Sequence, residues 1–156
     1  MLLTVRKRTL RYLGVGGLRA IATPALVAAL LFYSFAAKAK EGNITIELNK
    51  LEPKEEACRA YFVIENKNDS TYDVLKLDLV LFRPDGVIGQ RFAVELAPLK
   101  PKKRMVKLFD VANTSCDDVG NLLINDVMEC KSGSREVSDC LRDISVSSRT
   151  KNELTK

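Results

Sequence analysis

Histidine and tryptophan are both missing from this chain of 156 residues, and aromatic residues are sparse, four Tyr and six Phe. Without histidine there is no Ser/His/Asp or Cys/His nucleophile set and no imidazole ligand for a metal. The four cysteines, Cys58, Cys116, Cys130 and Cys140, form no C-x-x-C pair and no short zinc knuckle. Neither a thioredoxin-type redox motif nor a structural zinc site is therefore indicated. A glycine-rich phosphate loop is also absent. No catalytic residue, cofactor or metal ligand is expected. The missing tryptophan excludes in addition the Cys…Trp…Cys pattern of antibody-type domains.

Acidic residues are missing from the first 39 positions, where six basic residues stand: Arg6, Lys7, Arg8, Arg11, Arg19 and Lys38. These account for the net charge of +5, because residues 40–156 hold 19 basic and 20 acidic residues. The remainder lacks the basic excess that a phosphate backbone demands, so nucleic acid is not expected as a partner. Residues 1–39 have the parts of an export signal: a basic segment through Arg19, an apolar run from Ala20 to Ala37, and small residues at an A-x-A site. Cleavage after Ala39, at Ala37-Lys38-Ala39, leaves Lys40 as the mature N-terminus. The expected location is the periplasm. An uncleaved leader is the alternative, since the apolar run approaches the roughly 20 residues that cross a bilayer. The domain is then anchored in the inner membrane and faces the periplasm, with membrane contact through the leader alone.

An even number of cysteines behind an export signal reads as two structural disulfides formed in an oxidising compartment. Three pairings are possible; Cys58–Cys116 with Cys130–Cys140 is favoured, and the other two stay open. A second use of the same residues is redox or other enzymatic chemistry at Cys116, near Asp117 and Asp118. There a Ser115 cap and two acids mark a helix start, and a helix N-terminus lowers a thiol's pKa.

The apolar residues that are present recur with a period of two. Leu75, Leu77, Leu79 and Leu81 alternate with Lys76, Asp78, Val80 and Phe82, which puts four leucines on the core face of a strand. Arg83-Pro84-Asp85-Gly86 fits a turn, and Phe92, Val94 and Leu96 carry a second strand. Val80 and Phe82, on the opposite face of the first, are a candidate apolar interaction patch. Ile44, Ile46 and Leu48 mark an earlier strand that ends at the charged turn Leu51–Glu56. Cys58, Ala60, Phe62 and Ile64 mark the next. After the basic connection Pro98–Arg104, Val106 and Leu108 fall across from Lys107. Residues 122–130 fit helix and strand alike, and one helical turn followed by a strand is preferred. Asp143–Arg149 reads as the last strand and residues 151–156 as a flexible tail.

The segments A-Y-F-V-I-E-N, L-D-L-V-L-F-R-P-D-G-V-I and V-E-L-A-P-L resemble bacterial immunoglobulin-like domains of the FxLYD type. With A-C-R-A-Y, C-D-D-V-G and L-I-N-D-V, the whole chain resembles small alphaproteobacterial exported proteins known by a predicted twin-arginine signal. Arg6-Lys7-Arg8-Thr9-Leu10-Arg11 has no adjacent Arg pair. No catalytic residues carry over from either resemblance. The expectation is an all-β, antiparallel, immunoglobulin-like two-sheet sandwich of about seven strands with one short helix, covering residues 40–150. Its expected role is a non-catalytic binding or assembly module whose partner is another periplasmic or envelope protein.

Overall fold

The computed structural model describes residues 42–156; the leader and the cleavage residues Ala37, Ala39 and Lys40 lie outside them. The described residues form nine strands: β1 (Ile44–Lys54), β2 (Ala57–Asn66), β3 (Val74–Phe82), β4 (Ile88–Glu95), β5 (Lys103–Ala112), β6 (Asn121–Ser132), β7 (Arg135–Glu136), β8 (Ile144–Ser148) and β9 (Leu154–Thr155). Seven of them have five or more residues. One sheet has the order β5-β2-β1-β8, the other β4-β3-β6-β7 with β9 also on β6. The architecture is an all-β two-sheet sandwich.

The inward half of the alternation predicted for β3 is realised. Leu75, Leu77, Leu79 and Leu81 are all buried, opposite Ile44, Ile46, Leu48, Phe62 and Ile64 of the other sheet in one continuous core. Ile46 and Phe62 line the same interior space as Leu77, Leu79, Val94 and Ile124. At about 1.5–3 kcal/mol for each fully buried aliphatic side chain, this stripe is the main source of cohesion between the sheets. The β3–β4 turn forms as its residues dictate. Gly86 takes φ +81°, its N–H donates to Arg83 O at 2.8 Å, and Val87 N–H donates to Asp85 Oδ1 at 3.0 Å.

Four expectations are corrected. β1 does not end at Leu51 but continues through a bulge at Asn49 as far as Lys54. Pro53 is tolerated there because β8, the neighbour on its other side, pairs only with residues 44–48. Residues 122–130 form strand throughout, with register shifts that leave Asn125 and Met128 unpaired against β3. Each bulge inserts one residue, so inward positions run Leu122, Ile124, Val127 and Cys130, a spacing that imitates a helix. The helix start at Ser115 is capped as predicted, Asp117 N–H donating to Ser115 Oγ at 3.3 Å, but only a three-residue 3-10 turn follows. Gly120 N–H bonds Phe82 O at 2.8 Å and hands the chain to β6. A four-residue helix, α1 (Cys140–Asp143), precedes β8.

The tail is not frayed. Leu154 and Thr155 pair in parallel with Leu122 and Leu123, Leu154 is buried in the core, and buried Asn152 donates from Nδ2 to Val119 O and Gly120 O. β8 likewise runs parallel to β1, so the sandwich is antiparallel apart from these two pairings.

Candidate functional site

Cys58 is bonded to Cys116 and Cys130 to Cys140. The first bridge ties the start of β2 to the 3-10 turn across 58 positions of sequence, and the second ties β6 to α1 across 10. Among the described residues no cysteine is free. A reactive thiol at Cys116 is thereby corrected: its sulfur is held by Cys58, and the carboxylates of Asp117 and Asp118 point into solvent beside it. A cleft of about 450 Å³ lies there between residues 53–57 and 113–116. It is bordered by charged and polar groups, with no buried titratable group aimed into it.

The patch expected at Val80 and Phe82 is also corrected. Val80 is 6% exposed, enclosed between Arg91 and Leu123 on the neighbouring strands, and Phe82 is half-buried. Period-two reasoning placed both on the outward face correctly. It missed that a central strand's outward face is covered by the side chains on either side.

Exposed apolar side chains stand on both sheets, Ile88 and Met128 on separate strands of this one and Val106 and Leu108 together on one face of one strand of the other. β5 carries Met105, Lys107, Phe109 and Val111 inward and Arg104, Val106, Leu108 and Asp110 outward, with Val106 54% and Leu108 47% exposed. The register sets Val106 opposite Val63 and Leu108 opposite Tyr61 of β2, so four apolar side chains form a square at the sheet's edge. Charge frames the square on three sides. At one end Arg59 grips Asp110 through Nε–Oδ1 at 2.6 Å and Nη2–Oδ2 at 2.8 Å, which holds the Asp110 carboxyl below the usual carboxylate range. At the other end Glu65 stands opposite Arg104. On the β1 side the Tyr61 hydroxyl donates to Glu52, lowering that carboxyl's pKa, and Lys50 Nζ lies 5.2 Å from the Tyr61 ring centroid. The fourth side is the outer edge of β5, with which no strand pairs among the described residues.

Lys107, beside this square, is the residue that sequence reasoning read the other way round. Val106 and Leu108 look like the core face beside it, yet Lys107 is the one turned inward, where its Nζ reaches Ala97 O at 3.0 Å. The available signal was that Met105, Phe109 and Val111 share Lys107's parity.

A disulfide-stapled β-sandwich with an apolar, charge-framed sheet edge is the class these features define. Its fold is similar to that of IrmA from Escherichia coli, with a TM-score of 0.50 and 14% identity over 68% of this chain and 92% of that one. No family model and no curated protein matches the chain.

Proposed function

We propose that the chain is an exported, non-catalytic binding or assembly module, acting in the periplasm after its leader is cut behind Ala39. The observation that carries the reading is the square of Tyr61, Val63, Val106 and Leu108 on an outer sheet face, because exposed apolar clusters rimmed by polar groups mark interaction surfaces. The disulfides support the compartment, since such bonds persist where the environment is oxidising. They also support the mechanism: a sandwich stapled at two points presents a preformed surface, and binding then loses little ordering entropy. The partner is another protein of the periplasm or envelope.

The test has two parts. The intact mass of protein recovered from cells, measured before and after reduction, is expected to start at Lys40 and to gain four hydrogens on reducing both bridges. A photo-crosslinking residue at Leu108 is then expected to capture a partner in intact cells, whereas one at exposed Glu153 captures none. Retention of the leader would instead make the protein a tethered subunit, and absence of any adduct at Leu108 would remove the binding reading.

A further inference from the structure

The described residues form two sheets with four edges, and these are guarded unequally. β7 and β9 are two residues long and β8 is five. β4 starts with a register irregularity against β3 and turns Arg91, Ala93 and Glu95 outward. β5 differs from all of these. It runs ten residues against β2 in unbroken register, and among the described strands it is the one with two exposed large apolar residues on one face, Val106 and Leu108. Its guard is charge alone, at Lys103, Arg104, Lys107 and Asp110, which repels a strand of like charge and leaves the backbone edge open to one of opposite charge.

The backbone is arranged for that addition. Asn113 N–H donates to Glu56 O at 2.8 Å, which fixes the phase of the β2–β5 ladder. By antiparallel alternation the odd-numbered residues of β5 face β2. The N–H and C=O groups of Arg104, Val106, Leu108 and Asp110 therefore point away from the sheet, and these are the residues whose side chains form the outward row. Building on the module reading above, we infer that the edge of β5 takes an extended segment of another protein by antiparallel strand addition, and that this segment is apolar opposite Val106 and Leu108 and acidic opposite Arg104 and Lys107.

Charge decides the occupant. Lys103 and Arg104 lie along the edge, Lys107 stands on its inner side with its ammonium bound, among the described residues, only to a carbonyl, Ala97 O, and the edge's one acid, Asp110, is already engaged by Arg59. The incoming strand must therefore carry acids at the positions that face Arg104 and Lys107. A second copy of β5 meets part of this requirement: paired antiparallel about Lys107, it sets Arg104 opposite Asp110 and Val106 opposite Leu108. The same register places two Lys107 side chains directly across from one another, roughly 5 Å apart at Cβ, where like charges destabilise the pair. A heterologous strand with an acid at that position has no such conflict. Main-chain hydrogen bonds then supply the attachment, and the side chains at alternate positions supply the selection.

The probe is the capped heptapeptide R-T-V-E-V-T-E, whose residues in order face Asp110, Phe109, Leu108, Lys107, Val106, Met105 and Arg104. Its fluorescein-labelled form is titrated with the oxidised protein and read by anisotropy. Saturable binding is expected, weakened about tenfold in the charge-reversed peptide E-T-V-K-V-T-R. N-methylation of either valine, whose N–H faces β5, should abolish binding, while N-methylation of the central glutamate, whose N–H faces away, should leave it intact. Arg104→Glu should erase most of the preference between the two peptides, and Val106→Lys with Leu108→Lys should remove binding while the far-ultraviolet spectrum stays unchanged. No binding, equal binding of both peptides, or indifference to the position of the N-methyl group each overturns the inference. Sedimentation of the unliganded protein as a dimer that Leu108→Lys dissolves would give the edge to a second copy and overturn it as well. Failure here combined with a crosslinked partner at Leu108 discards strand addition alone and leaves the module reading standing.

Discussion

Asp78 and Arg91 meet on the outward face of the β4-β3-β6 sheet through two parallel hydrogen bonds, Nε to Oδ1 and Nη2 to Oδ2, each 2.8 Å long. Asp78 is buried although it lies on the outer face, and Asn125, one of the two bulge residues of β6, donates to its Oδ2 at 2.6 Å. The Arg91 guanidinium, followed by the Asn125 amide, holds the Asp78 carboxyl below the usual carboxylate range. A carboxylate with a depressed folded-state pKa contributes stability that is complete above its unfolded value, about 3.9, and is lost as pH falls through the folded one. The melting temperature is therefore expected to drop below about pH 4, and Asp78→Asn should flatten that acid limb by its own share. Asp110, Glu52, Glu47 and Glu129 are shifted in the same direction and retain theirs. Arg91→Ala should be more damaging at neutral pH than Asp78→Asn, because it leaves a buried carboxylate without its cation whereas the reverse change leaves an arginine in solvent.

The two disulfides should differ in weight. On the loop-entropy account, closing 58 positions contributes about 4 kcal/mol and closing 10 about 3 kcal/mol. Cys58→Ser with Cys116→Ser is expected to lower stability more than Cys130→Ser with Cys140→Ser, read from urea denaturation of the two double variants. The order would be reversed if the Cys130–Cys140 bridge, which anchors α1 and through it β8, were the one that holds the last strand in register.

Most of the sandwich was legible because inward and outward residues of β2 and β3 differ sharply, with Cys58, Ala60, Phe62 and Ile64 on one side of β2 and Arg59 and Glu65 on the other. β6 was not, because a bulge changes the local period and a one-residue insertion swaps the faces of everything after it. β5 misled for a different reason. Both of its faces carry apolar residues, and only its place at the sheet edge decides that Lys107 can turn inward and still reach a carbonyl. The same limit explains Val80: the period gives a side chain's face, and the covering of that face depends on strands far away in sequence. The tail was missed because Asn152 and Leu154 carry no periodic signal over so short a length.

Those last residues give a third prediction. Asn152 closes two carbonyls, Val119 O and Gly120 O, at the turn into β6, and Leu154 fills the core beneath. Asn152→Ala leaves buried acceptors unpaired and should cost about 1–3 kcal/mol. Leu154→Ala should cost about 2–5 kcal/mol, the range of buried leucines. Lys151→Ala, at an exposed position between two structured segments, should be neutral. Chemical denaturation of the three variants distinguishes a docked C-terminal strand from a loose tail, for which all three would be alike.

Gly86 and Gly120 are both required, for opposite reasons, and one pair of substitutions separates them. Gly86 stands in the left-handed region at φ +81° with nothing within 4 Å of where a side chain would begin. The cost of a side chain there is conformational, about 1 kcal/mol for alanine, and asparagine tolerates that region better. Gly120 lies outside the left-handed region, but a Cβ would stand 2.5 Å from Arg83 O and 2.6 Å from Arg83 C, backbone atoms that cannot swing aside. Its N–H holds Phe82 O at 2.8 Å, so relief by movement breaks the contact that starts β6 beside β3. Gly120→Ala is expected to cost about 1–3 kcal/mol or more, as overpacking does, and Gly120→Asn no less. Gly86→Asn should recover most of what Gly86→Ala loses, while no residue rescues position 120. Hydrogen exchange at the Gly120 amide supplies the structural readout. Its protection should fall in Gly120→Ala relative to global stability and remain in both Gly86 variants, and equal loss of protection in all of them would mean that the two glycines act through the same turn.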